Sequence, residues 1–261
     1  MTNNFLICLL LLTVSGCSVT KTIGHRVPVT FMEGPEVHGE LWDVGVDYTV
    51  VNGDAVNGGS VEVTTVGGSI ERKRSIKNQS LHSLKLGLGI SSKIDLKATY
   101  ALSLTSPDAI PMLGLKTQLI GESANKKSPG LKWSLMVLAG AGEANSGFSV
   151  NSNQGRIEQS IRAVDLISIA GRRFNDRWVA YVSQFFSYRT VESLSTVTTN
   201  SIDRYEVDLS SIHYGIVAGA NYSSDSRRIL KLEVGLANSE MVEFNDSSLA
   251  LHAGVSYGWL W

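Results

Sequence analysis

The residues of this chain that could do chemistry fall at alternate positions of short extended segments. Asp43, Asp47, Lys85, Asp95, Lys97, Lys132, His213, Lys231, Glu233 and His252 each stand between two apolar neighbours. On a strand, successive side chains point to opposite faces, so this spacing gathers the ionisable groups on one face and the apolar ones on the other. If the sheet closes, the polar face becomes its interior. Both signs of charge are present, which points to an interior knitted by ion pairs more than to an ion-selective pore. His252 near the chain end and Asp43 or Asp47 near its first strand become neighbours on closure. That pair reads either as a hydrogen-bonded seam or as an acid–base couple.

Catalytic spacing is harder to find. His82 and Ser83 are adjacent, which on a strand puts them on opposite faces and denies them a nucleophile–base contact. The Gly-rich run Ala139-Gly140-Ala141-Gly142 ends a strand with no helix after it, so it has no phosphate-binding context. We therefore expect no catalytic residue, no metal site and no cofactor.

These side chains must be positioned by strands. From Leu249 to Trp261 every second residue is apolar, and Tyr257, Trp259 and Trp261 bring aromatics to the chain end. The alternation is longer than the roughly 10 residues a tilted strand needs to cross a bilayer. It recurs upstream, and counting back from the end gives ten strands, near 247–261, 228–238, 205–222, 178–189, 160–173, 130–142, 112–120, 93–104, 80–90 and 40–51. Short polar turns at Ser91-Ser92-Lys93, Asn175-Asp176-Arg177 and 223–227 alternate with longer polar segments at 105–110, 143–159, 190–203 and 239–246. Gly121 to Pro129 is long for a turn on the short side. The expected architecture is all-β: an antiparallel up-and-down transmembrane β-barrel of ten strands.

Residues 52–79 contain a further strand-like stretch and Gly67-Gly68, a two-residue turn, so 40–90 reads as one long hairpin projecting outward. The alternative is a barrel of twelve strands with the excursion as a membrane hairpin. Glu71-Arg72-Lys73-Arg74 near the tip is either a solvated charge run or a contact for anionic lipopolysaccharide. Residues 17–39, with Pro28, Gly34 and Pro35, read as a tether leading to a barrel over 40–261.

The N-terminus carries an apolar core, Leu6 to Leu12, followed by small residues and Cys17, as a signal peptide over 1–16 would. Val14-Ser15-Gly16-Cys17 resembles the bacterial lipobox. That resemblance implies an acylated Cys17, bearing palmitate-type chains, as the mature N-terminus, with Ser18 directing the chain to the outer membrane. Cys8 would leave with the signal, so no thiol remains for a disulfide. The C-terminal alternation ending at Trp261 resembles the assembly signal of bacterial outer-membrane β-barrels. The resemblance implies outer-membrane lipid, lipopolysaccharide and the barrel-assembly machinery as partners, with both termini periplasmic.

Composition agrees with this reading and excludes others. With 23 Lys and Arg against 24 Asp and Glu, the chain lacks the cationic surplus of a nucleic-acid binder. Its mean hydropathy of +0.05 fits a barrel whose alternation averages out. The expected role is a non-enzymatic structural or surface protein; a narrow solute channel and an outer-membrane hydrolase are the alternatives.

Overall fold

A computed structural model describes residues 19–26, 33–53, 57–66, 69–75, 79–102, 111–150, 153–198, 202–224, 227–244 and 246–260. The strands are β1 (Val19–Arg26), β2 (Val44–Gly53), β3 (Asn57–Val66), β4 (Ser69–Ser75), β5 (Gln79–Ser91), β6 (Ile94–Leu102), β7 (Pro111–Ile120), β8 (Gly130–Val150), β9 (Asn153–Arg173), β10 (Trp178–Thr198), β11 (Ile202–Ser223), β12 (Arg228–Met241) and β13 (Asp246–Leu260). Ten of them, β2 and β5 to β13, close into an antiparallel barrel whose seam joins β13 to β2. At the seam Tyr48 lies opposite Tyr257.

The alternation seen in sequence is the alternation of the wall. On β9, Ile161, Ala163, Asp165, Ile167 and Ile169 are buried inward, while Arg162, Val164, Leu166 and Ala170 are exposed outward. The outward face is an apolar belt. On β13 it runs from Leu249 through Leu251 and Val255 to Tyr257 and Trp259, and on β10 from Trp178 through Val182 and Phe186 to Tyr188. Ten residues of strand, tilted about 40°, rise about 25 Å, the height of a bilayer core. Aromatic rings mark the margins of the belt: Tyr257 and Trp259 meet edge to face at 4.5 Å, and Trp178 lies 4.8 Å from Tyr222.

The turns at Ser92-Lys93, 121–129, 174–177 and 224–227 gather at one end of the barrel, together with the start of β2 and the end of β13. At the other end β8, β9, β10 and β11 continue well past the belt, each 21 or 22 residues long. Much of 143–159 and 190–203 therefore belongs to strands, where long loops are expected from sequence. Beyond the belt the outward face turns polar, with Glu143, Glu192, Glu206 and Asp208 exposed. Once the outward face is polar, the apolar-outward alternation ends although the ladder goes on.

The first hairpin keeps the expected form, β2 pairing with β5 in the barrel and β3 with β4 beyond it. β3 and β4 pair with each other, Val66 opposite Ser69, which closes the hairpin around Gly67-Gly68, themselves outside the described residues. They form a separate three-stranded sheet with β1 and do not enter the barrel, so the twelve-strand alternative is excluded. The expected tether over 17–39 is likewise corrected. Val19–Arg26 is a strand paired antiparallel to β3, and residues 33–39 lie inside the barrel. The signal peptide over 1–16, the lipobox, Cys17 and Trp261 lie outside the described residues.

Candidate functional site

The segment 33–40 fills the short-turn end of the lumen, entering at the rim and running inward from Glu40 to Glu33. Glu40 and Asp43 sit at the rim, where the Trp42 amide donates to the Gly89 carbonyl at 2.9 Å and the Gly89 amide donates to the Asp43 carbonyl at 2.8 Å. Trp42 adopts φ +74° and is exposed. Gly39 has φ +105°, and a Cβ there would strike Ser123, so the bend that turns the chain into the lumen needs glycine. The long turn over 121–129 now has a purpose: its 3-10 segment Ala124–Lys126 receives the plug, the Ala124 amide donating to the Val37 carbonyl at 2.9 Å.

Inside, the wall offers cations and the plug offers anions. Lys97 lies 3.3 Å and Lys116 3.3 Å from the Glu33 carboxylate. Lys116 Nζ also donates to the carbonyls of Gly34 at 2.6 Å and Glu36 at 2.7 Å. Arg173 grips the Glu36 carboxylate with two nitrogens, Nε donating to Oε1 at 2.7 Å, and Lys132 lies 3.5 Å from the same group. The His38 imidazole pairs with Asp95 through Nδ1 at 2.8 Å, and the Val37 amide donates to Gln118 Oε1 at 3.1 Å. Burial and the nearby Lys97 ammonium hold His38 below its ordinary pKa, with Asp95 pulling the other way. Gly45 and Gly87 provide the space the ring occupies: a Cβ on either would collide with it.

Further in, Lys231 bonds Asp47 at 2.6 Å, and the Tyr181 hydroxyl donates to Glu233 at 2.8 Å. Beyond that layer apolar side chains gather among buried polar ones such as Ser187 and His213. Met112, Met136, Leu138, Ile167, Phe185, Leu209 and Met241 pack into one buried cluster, crossed by Arg189 bonded to Asp165 at 2.9 Å. A cavity of about 490 Å³ remains beside the plug at the short-turn end, bordered by Glu36, Asp47, Arg173, Lys231 and Trp259.

Of the ionisable residues singled out in sequence, Asp47 with Lys231 and Asp95 with Lys97 are brought together around the plug, and Glu233 bonds Tyr181. Asp43 stands before β2 at the rim, not on the strand. His213 and His252 lie elsewhere. His252 sits opposite Gly53, whereas Asp47 sits opposite Gly258, six residues further along β13, so the expected seam pair does not form. Neither His252 ring nitrogen has a hydrogen-bond partner.

Polar groupings of Ser, His and Asp also occur in the lumen. Asp165, Ser187, His213 and Ser239 follow one another across adjacent strands. Ser187 donates to Asp165 at 2.6 Å, and His213 bonds Ser211 at 2.8 Å. Gly254-Val255-Ser256-Tyr257-Gly258 has the G-x-S-x-G spelling but lies within β13, with no strand-to-helix elbow, and Thr49 Oγ1 bonds Ser256 Oγ at 2.9 Å. Among the described residues no group of three or more metal-ligating side chains converges.

No family model matches the chain, and no curated protein matches it. Solved structures resemble it in shape. The outer membrane protease OmpT from Escherichia coli aligns at 9% identity and TM-score 0.48, over 84% of this chain and 94% of that one. The attachment invasion locus protein Ail of Yersinia pestis, in complex with the heparin analogue sucrose octasulfate, aligns at 8% identity and TM-score 0.35, over 85% and 100%. The outer membrane protein OprG from Pseudomonas aeruginosa aligns at 10% identity and TM-score 0.35, over 88% and 99%. These likenesses assign no activity and no residue role, and the barrel rests on its own closed ladder of strands.

Sequence reasoning missed Glu33, Glu36 and His38, together with their partners Lys116 and Arg173. One signal was available. The inward cations Lys85, Lys97, Lys116, Lys132, Lys231 and Arg173 outnumber the inward carboxylates Asp47, Asp95 and Glu233 on the same part of the wall. Such a surplus cannot stay buried without anions from elsewhere.

Proposed function

We propose that this protein is a non-enzymatic barrel of the bacterial outer membrane with a sealed lumen, serving a structural or surface-presenting role. Its short turns face the periplasm, its long strands rise from the cell surface, and outer-membrane lipid and lipopolysaccharide surround the belt. An outward face carrying so many exposed large apolar side chains has no place in water and fits lipid. The observation that carries the sealed-lumen reading is the double closure: the ion-paired plug 33–40 at one level and the buried apolar cluster at the next. A solute channel needs an open path, and a hydrolase needs its groups within reach of substrate. His213 and Ser211 are 1% and 0% exposed.

Planar-bilayer recording of the purified protein tests this. We expect no steady conductance above background; discrete long-lived openings would favour the channel. Fractionation is the companion test: a chain lacking its lipid anchor should stay in the membrane, and recovery in the soluble fraction would overturn the membrane reading.

A further inference from the structure

We propose that two copies of this barrel pair side by side in the membrane through the outward wall of β9, β10 and β11, with Gln184 of one copy hydrogen-bonded to Gln184 of the other. The pairing rests on the membrane reading above and adds an interaction surface to it.

The outward belt carries few polar side chains, and most have a partner at hand. Trp133 Nε1 donates to Ser168 Oγ at 3.0 Å, the Asn238 amide donates to the Tyr214 hydroxyl at 2.7 Å, and the Tyr48 hydroxyl lies 2.6 Å from His82 Nδ1. Asn52 stands one residue before the end of β2 at Gly53, where that strand leaves the barrel. Gln184 differs. It is exposed on the outward face, and among the described residues no hydrogen-bond partner meets its amide.

Its depth makes this costly. On β10, Trp178 and Val182 face outward on one side of it and Phe186 and Tyr188 on the other. At about 2.5 Å of height per tilted residue, Gln184 lies about 15 Å from Trp178 and about 10 Å from Tyr188. Its side chain is too short to reach either margin. Beside it in the ladder stand Ser168 of β9 and Ile216 of β11, and Leu135 and Leu236 follow on β8 and β12. Lipid chains offer neither donor nor acceptor, so an amide at this depth stays unsatisfied until another protein surface supplies them.

The amide itself selects that surface. A carboxamide carries a donor and an acceptor side by side, so two of them face to face make two reciprocal hydrogen bonds. A two-fold axis along the membrane normal sets a residue against its own copy and keeps both barrels in one orientation. Two tilted copies of β10 then cross as an X, with Gln184 at the crossing. The wall around it permits a close approach. Toward the short-turn end its outward residues are small, Ala170 on β9, Ala180 on β10, and Ala218 and Ala220 on β11. The far wall of β5, β6 and β7 presents Leu86, Leu96 and Leu115 instead.

Sedimentation equilibrium of the full chain in density-matched detergent micelles tests this. We expect a reversible dimer that Gln184→Leu weakens about tenfold and that Asn52→Leu leaves unchanged, with heat-modifiable migration kept in both variants. A folded barrel that stays monomeric as the ratio of protein to detergent rises would overturn the pairing. A dimer indifferent to Gln184→Leu would overturn this surface. Recovery of the chain without its lipid anchor in the soluble fraction of cells would instead overturn the membrane reading on which both stand.

Discussion

Two layers of side chains fill the lumen, and their chemistries are opposite. At the short-turn end, closure comes from ion pairs between wall cations and a segment that precedes the wall in sequence, with Glu33 and Glu36 at its centre. At mid-height the wall closes itself with Met, Ile, Leu and Phe. The apolar layer is built from strand residues alone, so it forms whenever the barrel does. The polar seal is conditional: remove the plug and Lys97, Lys116, Lys132 and Arg173 face a low-dielectric lumen with too few anions. One layer is a fixed floor and the other is a fitted stopper.

The sharpest way to break this contrast is to strip the stopper's charges. Glu33→Ala with Glu36→Ala leaves buried cations unpaired, at about 3–5 kcal/mol for each broken pair. The urea midpoint of the refolded barrel should fall steeply while conductance stays absent, because the apolar layer still seals. An unchanged midpoint would mean that the plug pairs contribute nothing. Next, Ile167→Ala cuts a fully buried side chain from the apolar layer, and about 2–5 kcal/mol should be lost to the cavity it leaves. Amide exchange in residues 33–40 should stay slow in that variant; acceleration there would show that the two layers are one. A smaller effect, about 1–3 kcal/mol, is expected from Gly87→Val, which crowds the His38 ring. Here exchange should quicken in 33–40 and not in β9 or β10.

The smallest effect is a pH dependence. The folded His38 binds its proton less readily than an unfolded histidine, whose pKa is about 6.5. Between those two values the unfolded chain carries more protons, so the stability His38 contributes is present above about 6.5 and is lost as pH falls toward the folded value. His38→Asn should flatten that part of the profile. Lys97, Asp95 and Glu33 face the ring and remain in place as the control.

The barrel was legible because its wall obeys one rule: apolar outward, anything else inward, every second residue. The strand count follows from that rule and from turn lengths. The rule failed where its physical cause failed. Above the belt, Glu192 and Asp208 face water, and with the outward face polar the strands looked like loops. The plug was illegible for a different reason. Residues 33–40 make no ladder and therefore have no period; what fixes them is long-range, as when Lys116 reaches Glu33 across 83 positions. His252 was misjudged because closure sets which residues meet only once the register is known, and the register placed it against Gly53.

The seam has a kinetic consequence. β2 meets β13 across about two hundred positions, whereas its other barrel neighbours are joined through hairpins, so the seam is the last pairing a nascent chain can make. The plug precedes β2, so it is synthesised before either edge of the seam. To withdraw, the plug must give up the pairs that Lys97, Lys116, Lys132 and Arg173 make with Glu33 and Glu36. The stopper is thus made before the wall that holds it, and its carboxylates wait for cations that arrive with β6, β7, β8 and β9.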